Sequence, residues 1–461
     1  MPLTILTDDD VRTLLHSLTK RDILELQQSL ADALHYYSTS VEDDDNGCCA
    51  SYQPERTALK RKDGTTTLFM PANSNEGMGV KIVTLTEVCA TSMGKDGIKN
   101  IGRMSGNIGS MSGSNSGSFS SVSGDSGIDT PSSGIGNAGT SPTGSLTLLA
   151  NNGTMRALVN AAEITAFRTA LASTILFKKR NNVHDIAIFG AGKQAYWHAR
   201  LALLLRGDEI HHLNIINRSF DTAGSLLHDL YKIPWPVSIH HPQTSIITPN
   251  HTEYHRYLKS TIRASSVIFC TTPSTEPLFP AEYLTSTEGR KKGRYVAAIG
   301  SYKPHMIELH PDILQQAVAN PNHKHHHHRH AKQGGAIVVD SVEACLKEAG
   351  EIIQAGLGGR EVVELGELVM LKRDAEAKRR DRRESESSLD SAGVELGGGK
   401  KGKGAKEKDE GGDGDGGLGE WLTKGNVVYK SVGLGLMDVV VGGELVRLAD
   451  ERGVGTRLER F

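Results

Sequence analysis

The sequence predicts an α/β protein with a parallel sheet whose strands alternate with helices, interrupted by long polar segments. Three observations predict this class: recurring short apolar strands, helical stretches between them, and long polar segments that separate the folded parts. The recurring strands are predicted at 185–189, 213–217, 266–270, 295–299 and 336–340. Strands that alternate with helices are joined by right-handed crossovers, which produces a parallel sheet.

The composition is that of a globular protein diluted by polar inserts. Of the 461 residues, 38% are apolar and 51 are glycine, so apolar content is low and glycine content is high for a folded chain. Basic and acidic residues nearly balance at 52 and 54, which argues against a nucleic-acid-binding surface. No apolar run has the ~20 residues of a membrane span, and the first residues lack the pattern of a secretory signal. We therefore expect a cytoplasmic protein without nucleic-acid or membrane partners.

Three segments are predicted to be inserts that do not join a core. Residues 91–144 contain 13 Gly and 14 Ser, and residues 372–418 mix 12 basic with 12 acidic side chains. Neither composition buries enough apolar surface to offset the entropy of ordering, so both inserts are expected to be disordered. The His-rich segment 323–330 lacks the ligand spacing of a tetrahedral site, so no metal centre is predicted.

The N-terminal third carries helix and strand patterns in a mixed order. Thr7 is a candidate N-cap, because three aspartates follow it at the start of a helix predicted through residue 14. A second amphipathic helix is predicted over 21–37. Strands are predicted at 66–70, 78–84 and 146–150, and an Ala-rich helix at 157–178.

The segment DIAIFGAGKQA (185–195) is the most informative in the chain. It consists of a strand, a G-x-G-x-x-A turn and the start of a helix, which is the dinucleotide-binding fingerprint in its required setting. Gly190 permits the tight turn, Gly192 lets the backbone approach a pyrophosphate, and the helix N-terminus favours an anion. The predicted cofactor-binding residues of this turn are Gly190, Ala191, Gly192, Lys193 and Gln194. The sequence therefore predicts a Rossmann domain that binds a nicotinamide dinucleotide.

The end of the second strand indicates which form of the cofactor binds. Sites that prefer NAD place an acid there to hold the ribose 2′-hydroxyl, whereas this chain has Asn217, Arg218 and Ser219. A guanidinium binds phosphate bidentately, and small polar groups suit the same phosphate. These three residues favour NADP over NAD, with NAD as the alternative.

Together with this motif, further segments make the chain resemble the ornithine cyclodeaminase/mu-crystallin family. The matching segments are GMGVKIVT (77–84), AAEITAFRTALAS (161–173), FGAGKQA (189–195), INRS (216–219), CTTPSTEPLF (270–279), AIGSYKPHMIELHPDIL (298–314), VVDSVEACLKEAGEI (338–352) and NVVYKSVGLGLMDVV (426–440). The resemblance extends over most of the chain outside the two long inserts.

The resemblance implies a two-domain architecture and a homodimer. A substrate-binding and dimerisation domain is expected over 1–180, completed by a C-terminal helix at 437–461. A Rossmann NAD(P)-binding domain is expected over 181–436.

The resemblance also implies three cations around a substrate carboxylate, and Arg56, Lys81 and Arg168 stand at these positions. Guanidinium and ammonium groups are the donors that carboxylate sites use. Arg168 interrupts a small, apolar helix face, where an unpaired charge is costly. Lys81 is also a candidate catalytic residue, because an ammonium beside the reacting nitrogen polarises or protonates it.

Two loops are expected to border the cofactor. Thr271, Thr272 and Ser274 follow the carboxyl end of a predicted strand, where ligands bind in open α/β sheets, and the resemblance puts them beside the cofactor. True cyclodeaminases carry an aspartate after the strand that ends near Gly300, whereas this chain has Tyr302. A tyrosine with its ordinary pKa of about 10 is a poor base at neutral pH. Tyr302 is therefore a candidate catalytic residue that orients substrate or donates a proton.

These observations predict an NAD(P)-dependent oxidoreductase that transfers hydride between NADPH and a small imine, keto or amino acid. Two alternatives remain open. One is ornithine cyclodeaminase, a lyase that releases ammonia and forms proline. The other is a non-catalytic protein that binds NADPH and a small ligand.

Overall fold

The computed structural model describes residues 2–39, 52–86, 143–319, 335–369 and 422–461, which form two sheets covered by helices. The strands are β1 (Leu3–Leu6), β2 (Thr57–Lys60), β3 (Thr65–Ser74), β4 (Gly77–Thr86), β5 (Thr143–Leu149), β6 (Met155–Asn160), β7 (Asp185–Phe189), β8 (His212–Ile216), β9 (Gln243–Ile247), β10 (Val267–Cys270), β11 (Tyr295–Ala298), β12 (Gly335–Val339), β13 (Val362–Glu364), β14 (Asn426–Lys430) and β15 (Thr456–Leu458). The helices are α1 (Asp8–Ser17), α2 (Lys20–Thr39), α3 (Ala161–Phe177), α4 (Lys193–Arg206), α5 (Phe220–Lys232), α6 (Tyr254–Ala264), α7 (Glu282–Thr285), α8 (Pro311–Val318), α9 (Val342–Glu348), α10 (Gly350–Ala355) and α11 (Gly435–Arg452).

One sheet is parallel throughout, with the order β13-β12-β14-β11-β10-β7-β8-β9. Every residue of its central strands β10 and β11 is buried, as expected when helices cover both faces. The strand order reverses between β7 and β10, which opens a crevice at their carboxyl ends. This sheet confirms the predicted doubly wound α/β class, and the five predicted strands lie within one residue of their predicted bounds.

The other sheet is mixed, with the order β15-β1-β6-β5-β4-β3-β2. Strand β1 pairs parallel with β6, and the other described pairs are antiparallel. Helices α1, α3 and α11 pack on one face of this sheet and bury its apolar residues, and α2 packs against α3 and α11. Lys81 of β4 points to that covered face, because its register partners Met70 and Leu146 are buried in it.

A local sequence signal starts helix α1 where it is predicted. The Thr7 hydroxyl accepts from Asp10 N, and the Asp10 carboxylate accepts in return from Thr7 N at 2.9 Å, which forms a capping box at α1. Helix α3 is buried on almost every side, so it forms the boundary between the two sheets.

None of the described helices combines the length and apolar character needed to cross a membrane.

Two predicted helix boundaries are wrong. Residues 157–160, predicted as the start of a helix, belong to strand β6; the side chain of Asn160 accepts from Ala162 N and starts α3 only after the strand. The C-terminal helix predicted over 437–461 ends at Arg452, because Gly453 adopts φ +65°. Residues 456–458 then pair with β1 as strand β15.

The predicted insert 91–144 is also too long, since Thr143 and Gly144 begin strand β5. The remainder of that insert, the His-rich segment 323–330 and the insert 372–418 lie outside the described residues. The predicted domain boundaries at 180 and 436 fall near the ends of α3 and β14, close to where the chain passes from one sheet to the other.

Candidate functional site

A large cavity lies between the two sheets, at the carboxyl ends of the parallel strands. Its volume is about 570 Å³, which is typical of a small-molecule site. Loops after β7, β10, β11 and β14 line it from the parallel sheet, while β3, β4 and α3 line it from the other side. Residues that are distant in sequence therefore face one space.

The turn after β7 forms one end of this cavity. Gly190 has φ +104°, and a Cβ there would lie 2.8 Å from Thr271 Oγ1, so only glycine fits without strain. A Cβ on Gly192 would meet open space. Gly192 also begins α4, where no side chain caps the first N–H groups. Uncapped N–H groups at a helix N-terminus favour anions, and the start of α4 leaves such groups without a side-chain cap.

The other residues of the predicted motif have different surroundings. Lys193 and Gln194 line the cavity with Gly192, whereas Ala191 packs against the core. Lys193 Nζ pairs with Glu163 Oε1 of α3 at 2.6 Å, so this lysine joins α4 to α3. Gln194 Oε1 is buried and has no hydrogen-bond partner among the described residues.

Asn217, Arg218 and Ser219 follow β8, the strand beside β7. Asn217 Nδ2 donates to Ser219 O at 2.8 Å, and the Ser219 hydroxyl caps α5 by accepting from Thr222 N. Arg218 is exposed and makes no hydrogen bond or ion pair within the described part of the chain. These residues therefore form an ordered turn from which one guanidinium extends into solvent.

A buried charge cluster forms the opposite end of the cavity. Lys81 Nζ lies 2.9 Å from Asp438 Oδ1, and Arg168 Nε lies 3.3 Å from the same oxygen. All three side chains are at most 5% exposed. Burial lowers the pKa of the Lys81 ammonium, against the opposing effect of the Asp438 carboxylate. Sharing one carboxylate offsets part of the desolvation cost of the two cations.

A glycine allows the Arg168 guanidinium to approach the backbone. Gly433 has φ +90°, and a Cβ there would lie 2.6 Å from Arg168 Nη2. The buried carboxylate of Asp340 accepts from Gly433 N at 2.7 Å and from the Ser431 hydroxyl at 2.7 Å. Asp340 therefore fixes the loop after β14 against which Arg168 lies.

Arg56 precedes β2 and lines the same cavity. Its guanidinium pairs with Glu348 at the end of α9, so each predicted cation has an acidic neighbour. Arg56, Lys81 and Arg168 come from three separate segments and meet in one cavity. Within the described ranges, no group of three or more His, Cys, Asp or Glu side chains is placed to hold a metal ion.

Thr271, Thr272 and Ser274 of the predicted cofactor loop make different contacts. Thr271 lines the cavity, and its hydroxyl donates to Phe189 O at 2.7 Å. The Thr272 hydroxyl faces Glu308, and the Ser274 hydroxyl donates to Glu276 O at 2.6 Å. The Ser274 hydroxyl therefore stabilises its own loop, whereas the Thr272 hydroxyl contacts a carboxylate from another segment.

Tyr302 follows β11 and lines the cavity from the parallel sheet, with Lys303 Nζ 5.8 Å from its ring centre. Apolar side chains face it across the space, among them Leu68, Val83 and Leu85 of β3 and β4. The cavity thus combines these apolar side chains with the polar groups of the turn after β7 and of the charge cluster.

No established family model matches the chain, but individual relatives do. An uncharacterised protein of Saccharomyces cerevisiae is 29% identical over 239 residues, which span 46% of this chain and 59% of the yeast protein. A Δ1-pyrroline-2-carboxylate reductase of Bacillus cereus is 26% identical over 310 residues, or 66% of this chain and 70% of that protein. The ketimine reductase mu-crystallin of Rattus norvegicus is 26% identical over 222 residues, or 48% and 56%. The matched stretches thus span between half and three quarters of these relatives.

Solved structures of the same kind superpose over nearly the whole chain. An archaeal alanine dehydrogenase dimer with bound NAD gives a TM-score of 0.59 at 17% identity, covering 100% of both chains. The Δ1-pyrroline-2-carboxylate reductase of Thermococcus litoralis, in complex with NADH and L-proline, gives 0.59 at 18% identity, covering 98% of this chain and 99% of the other. A probable ornithine cyclodeaminase of Bordetella pertussis gives 0.57 at 17% identity, covering 98% and 99%. These similarities in sequence and fold support the predicted resemblance to the ornithine cyclodeaminase/mu-crystallin family, at low identity.

Sequence reasoning missed the acidic partners of the predicted site residues. Asp438, Glu348 and Glu308 are all within ion-pair or hydrogen-bond distance of site residues or site loops. Asp438 carried a readable signal, because it is a single acid in the apolar helical run GLMDVVVGG, where a charge needs a buried partner. Glu348 and Glu308 stand in mixed segments that carry no such signal.

Proposed function

We propose that the chain is an NAD(P)H-dependent reductase of a small imino acid, with 2-oxo and amino acids as related substrates. The observation that carries this proposal is that a dinucleotide turn and a cluster of cationic donors border one cavity. The relatives named as reductases of pyrroline carboxylate and of ketimines support the same reaction class.

The turn after β7 fits a dinucleotide. Open space at Gly192 and the uncapped N-terminus of α4 suit a pyrophosphate, which needs a close backbone and free N–H groups. When bound, the reduced nicotinamide supplies the hydride. Arg218, without a partner in the described chain, is the residue that would hold a 2′-phosphate, and NADP is therefore the preferred form.

The cation cluster fits the substrate carboxylate. An ammonium has three donors and a guanidinium has five, while Lys81 and Arg168 together use three of these eight within the described residues. Lys81, Arg168 and Arg56 all line the cavity, so their remaining donors are available to a carboxylate bound there. Charge-assisted contacts of this kind also fix the orientation of the ligand.

Lys81 is proposed to give the proton that reduction of an imine requires. Reduction adds a hydride to the imine carbon and a proton to its nitrogen, so an acid is needed beside that nitrogen. Burial lowers the pKa of Lys81, which makes its ammonium a stronger acid. Asp438 holds the ammonium by one oxygen and limits the rotamers from which it donates.

Tyr302 disfavours the cyclodeaminase alternative. The family resemblance implies an aspartate there in cyclodeaminases, and a phenol is a poor proton acceptor at neutral pH. In the proposed reductase, Tyr302 orients the substrate against the apolar side chains of β3 and β4.

The protein is proposed to act as a homodimer. The face of the mixed sheet opposite Lys81 carries apolar side chains, with Met78 37% and Leu158 39% exposed and Ile82 partly exposed. A second copy is the proposed occupant, because the similar archaeal alanine dehydrogenase is a dimer. Replacing Ile82 and Leu158 with Glu should convert a dimer into a monomer in sedimentation equilibrium; a monomeric wild type would contradict this.

A substrate panel tests the proposed reaction. Cyclic ketimine carboxylates, linear imino acids and 2-oxo acids with ammonia are each incubated with NADPH or NADH, and loss of the reduced-nicotinamide absorbance is followed. Turnover of at least one cyclic ketimine is expected. Tight cofactor binding by calorimetry without turnover of any substrate would contradict the reductase and favour a binding protein, and ammonia release from ornithine would favour the lyase.

A further inference from the structure

A cluster of fully buried polar side chains lies beneath the cavity, at the carboxyl ends of β10 and β11. Glu308, Glu351, Lys430 and Ser301 are each at most 1% exposed. None of the four lines the cavity itself. Burying two carboxylates and one ammonium is costly unless each is hydrogen-bonded. We therefore expect this cluster to have a structural or functional role.

The Glu308 carboxylate connects the two loops that carry cavity residues. Its Oε1 accepts from Thr272 N at 2.6 Å, and its Oε2 accepts from Gly300 N at 2.7 Å and Ser301 N at 3.4 Å. The loops also touch directly, since a Cβ on Gly300 would lie 2.3 Å from Thr272 N. One carboxylate therefore joins the loop after β10 to the loop after β11.

A second carboxylate holds Glu308 in place. Glu351 Oε1 accepts from Glu308 N at 2.8 Å and also from the Ser301 hydroxyl. Lys430 Nζ lies 3.2 Å from Glu351 Oε2 and donates to Ser301 O. The cluster thus fixes both the main chain and the side chain of Glu308.

The charged and titratable groups facing Glu308 come from three elements. Lys430 of β14 opposes its protonation, whereas Glu351 of α10 promotes it; the Cys270 thiol of β10 is a further neighbour. Burial, with the smaller effect of Glu351, raises the pKa of Glu308 to about 7. A carboxyl that titrates there changes from two charged acceptors to a weaker acceptor and a donor within the physiological range.

We infer that Glu308 is a positioning residue: its carboxylate clamps the two loops that bring Thr271 and Tyr302 to the cavity, and so sets the geometry in which cofactor and substrate meet. This rests on the proposed function for its catalytic consequence only. The clamp itself is a property of the cofactor-free chain. The amides of Thr272 and Gly300 donate to different oxygens of the Glu308 carboxylate. Because bonds to a charged carboxylate are stronger and a protonated oxygen is a poor acceptor, the clamp tightens as Glu308 loses its proton.

The first experiment measures the clamp without activity. Amide hydrogen exchange of the peptides that contain 271–274 and 299–303 is followed in the full-length protein between pH 6 and 8, corrected for intrinsic exchange. Protection is expected to rise at least threefold across this range in the wild type, and to be lower and independent of pH in Glu308→Gln. Equal protection in both proteins, or a wild type without pH dependence, would overturn the clamp. The wild-type arm decides the question even if the variant does not fold.

The second experiment measures the consequence for turnover, using the substrate found in the panel. Glu308→Gln is expected to lower kcat at least tenfold, to leave the cofactor Kd within threefold and to remove the limb of the pH–rate profile near pH 7. Glu308→Asp should recover part of kcat, and the exposed Glu25→Gln serves as the matched control. An unchanged kcat and pH profile beside reduced exchange protection would overturn the positioning role. If the wild type turns over no substrate, the proposed function fails while the exchange result still stands.

Discussion

The two ends of the cavity are built in different ways. The anion site at Gly190–Gln194 comes from five consecutive residues and relies on main-chain N–H groups and one left-handed glycine. The cation cluster joins Lys81, Arg168 and Asp438, which are separated by up to 357 residues and rely on side chains. A short segment with a fixed backbone is stable against distant changes, whereas the cluster depends on the packing of α3, β4 and α11 around it.

The two ends also differ in electrostatic cost. The turn stores little strain, because glycine adopts its positive φ freely. The cluster buries two cations and a carboxylate, so removing one partner leaves an uncompensated charge in the interior. Mutations at the cluster should therefore have larger effects than mutations at the turn.

The largest effect is expected at Lys81. Lys81→Met removes the proposed proton donor, and general-acid catalysis is worth about 10²- to 10⁴-fold, so kcat should fall by that factor. Asp438 keeps Arg168 as a partner, so the fold should be retained, as circular dichroism would check. The exposed Lys60→Met is the control. A fall of less than tenfold in kcat would remove Lys81 from the chemistry.

Asp438 should matter most for stability. Asp438→Asn leaves Lys81 and Arg168 without their shared carboxylate, and breaking a buried pair costs about 3–5 kcal/mol; denaturant unfolding measures this. The Asp438 carboxylate raises the pKa of Lys81, so its loss should lower that pKa. As the pH is raised, the variant should therefore lose activity at a lower pH than the wild type does. The exposed Asp229→Asn is the control. Stability within about 1 kcal/mol of the wild type would show that the cations find another partner.

Replacing Arg218 should weaken the binding of only one of the two cofactors. Loss of a charge-assisted phosphate contact costs about 1.5–3 kcal/mol, so Arg218→Ala should weaken NADPH binding about 10- to 150-fold and leave NADH binding nearly unchanged. Asn217→Asp should go further and favour NADH, because a carboxylate accepts from the 2′-hydroxyl and repels phosphate. The measurement is the ratio of the two dissociation constants. A wild type that already prefers NADH would contradict the NADP assignment.

The smallest effects are expected from replacing the two glycines of the turn, Gly190 and Gly192, and the two replacements should differ in what they change. Gly190→Ala should lower the free energy of unfolding by about 1–3 kcal/mol, because its Cβ meets Thr271 and its φ is +104°. Gly192→Ala should leave stability within about 0.5 kcal/mol, since its Cβ meets nothing within 4 Å. It should instead weaken cofactor binding about tenfold. Equal losses of stability in the two variants would mean that Gly192 is structural.

Prediction from the sequence succeeded where local patterns carry the information. The five predicted strands of the parallel sheet and the N-cap at Thr7 were found close to their predicted positions. It failed at 157–160 and 456–458. Strand β6 runs directly into α3, so the apolar residues of the strand extend the pattern of the helix. Strand β15 exists because β1 offers it an edge.

The family resemblance implied the three cations Arg56, Lys81 and Arg168, whereas local patterns in the sequence by themselves determined the α/β class and the glycine turn after β7. Each of these depends on backbone conformation or side-chain polarity within a few residues, which neighbouring residues in the chain specify. Only the tertiary structure decided that Asp438 would neutralise Lys81 and Arg168, that Glu348 would pair with Arg56, and that Glu308 would join two loops. The physical reason is that an ion pair or a buried hydrogen bond depends on distances between segments, and those distances are set by how sheets and helices pack.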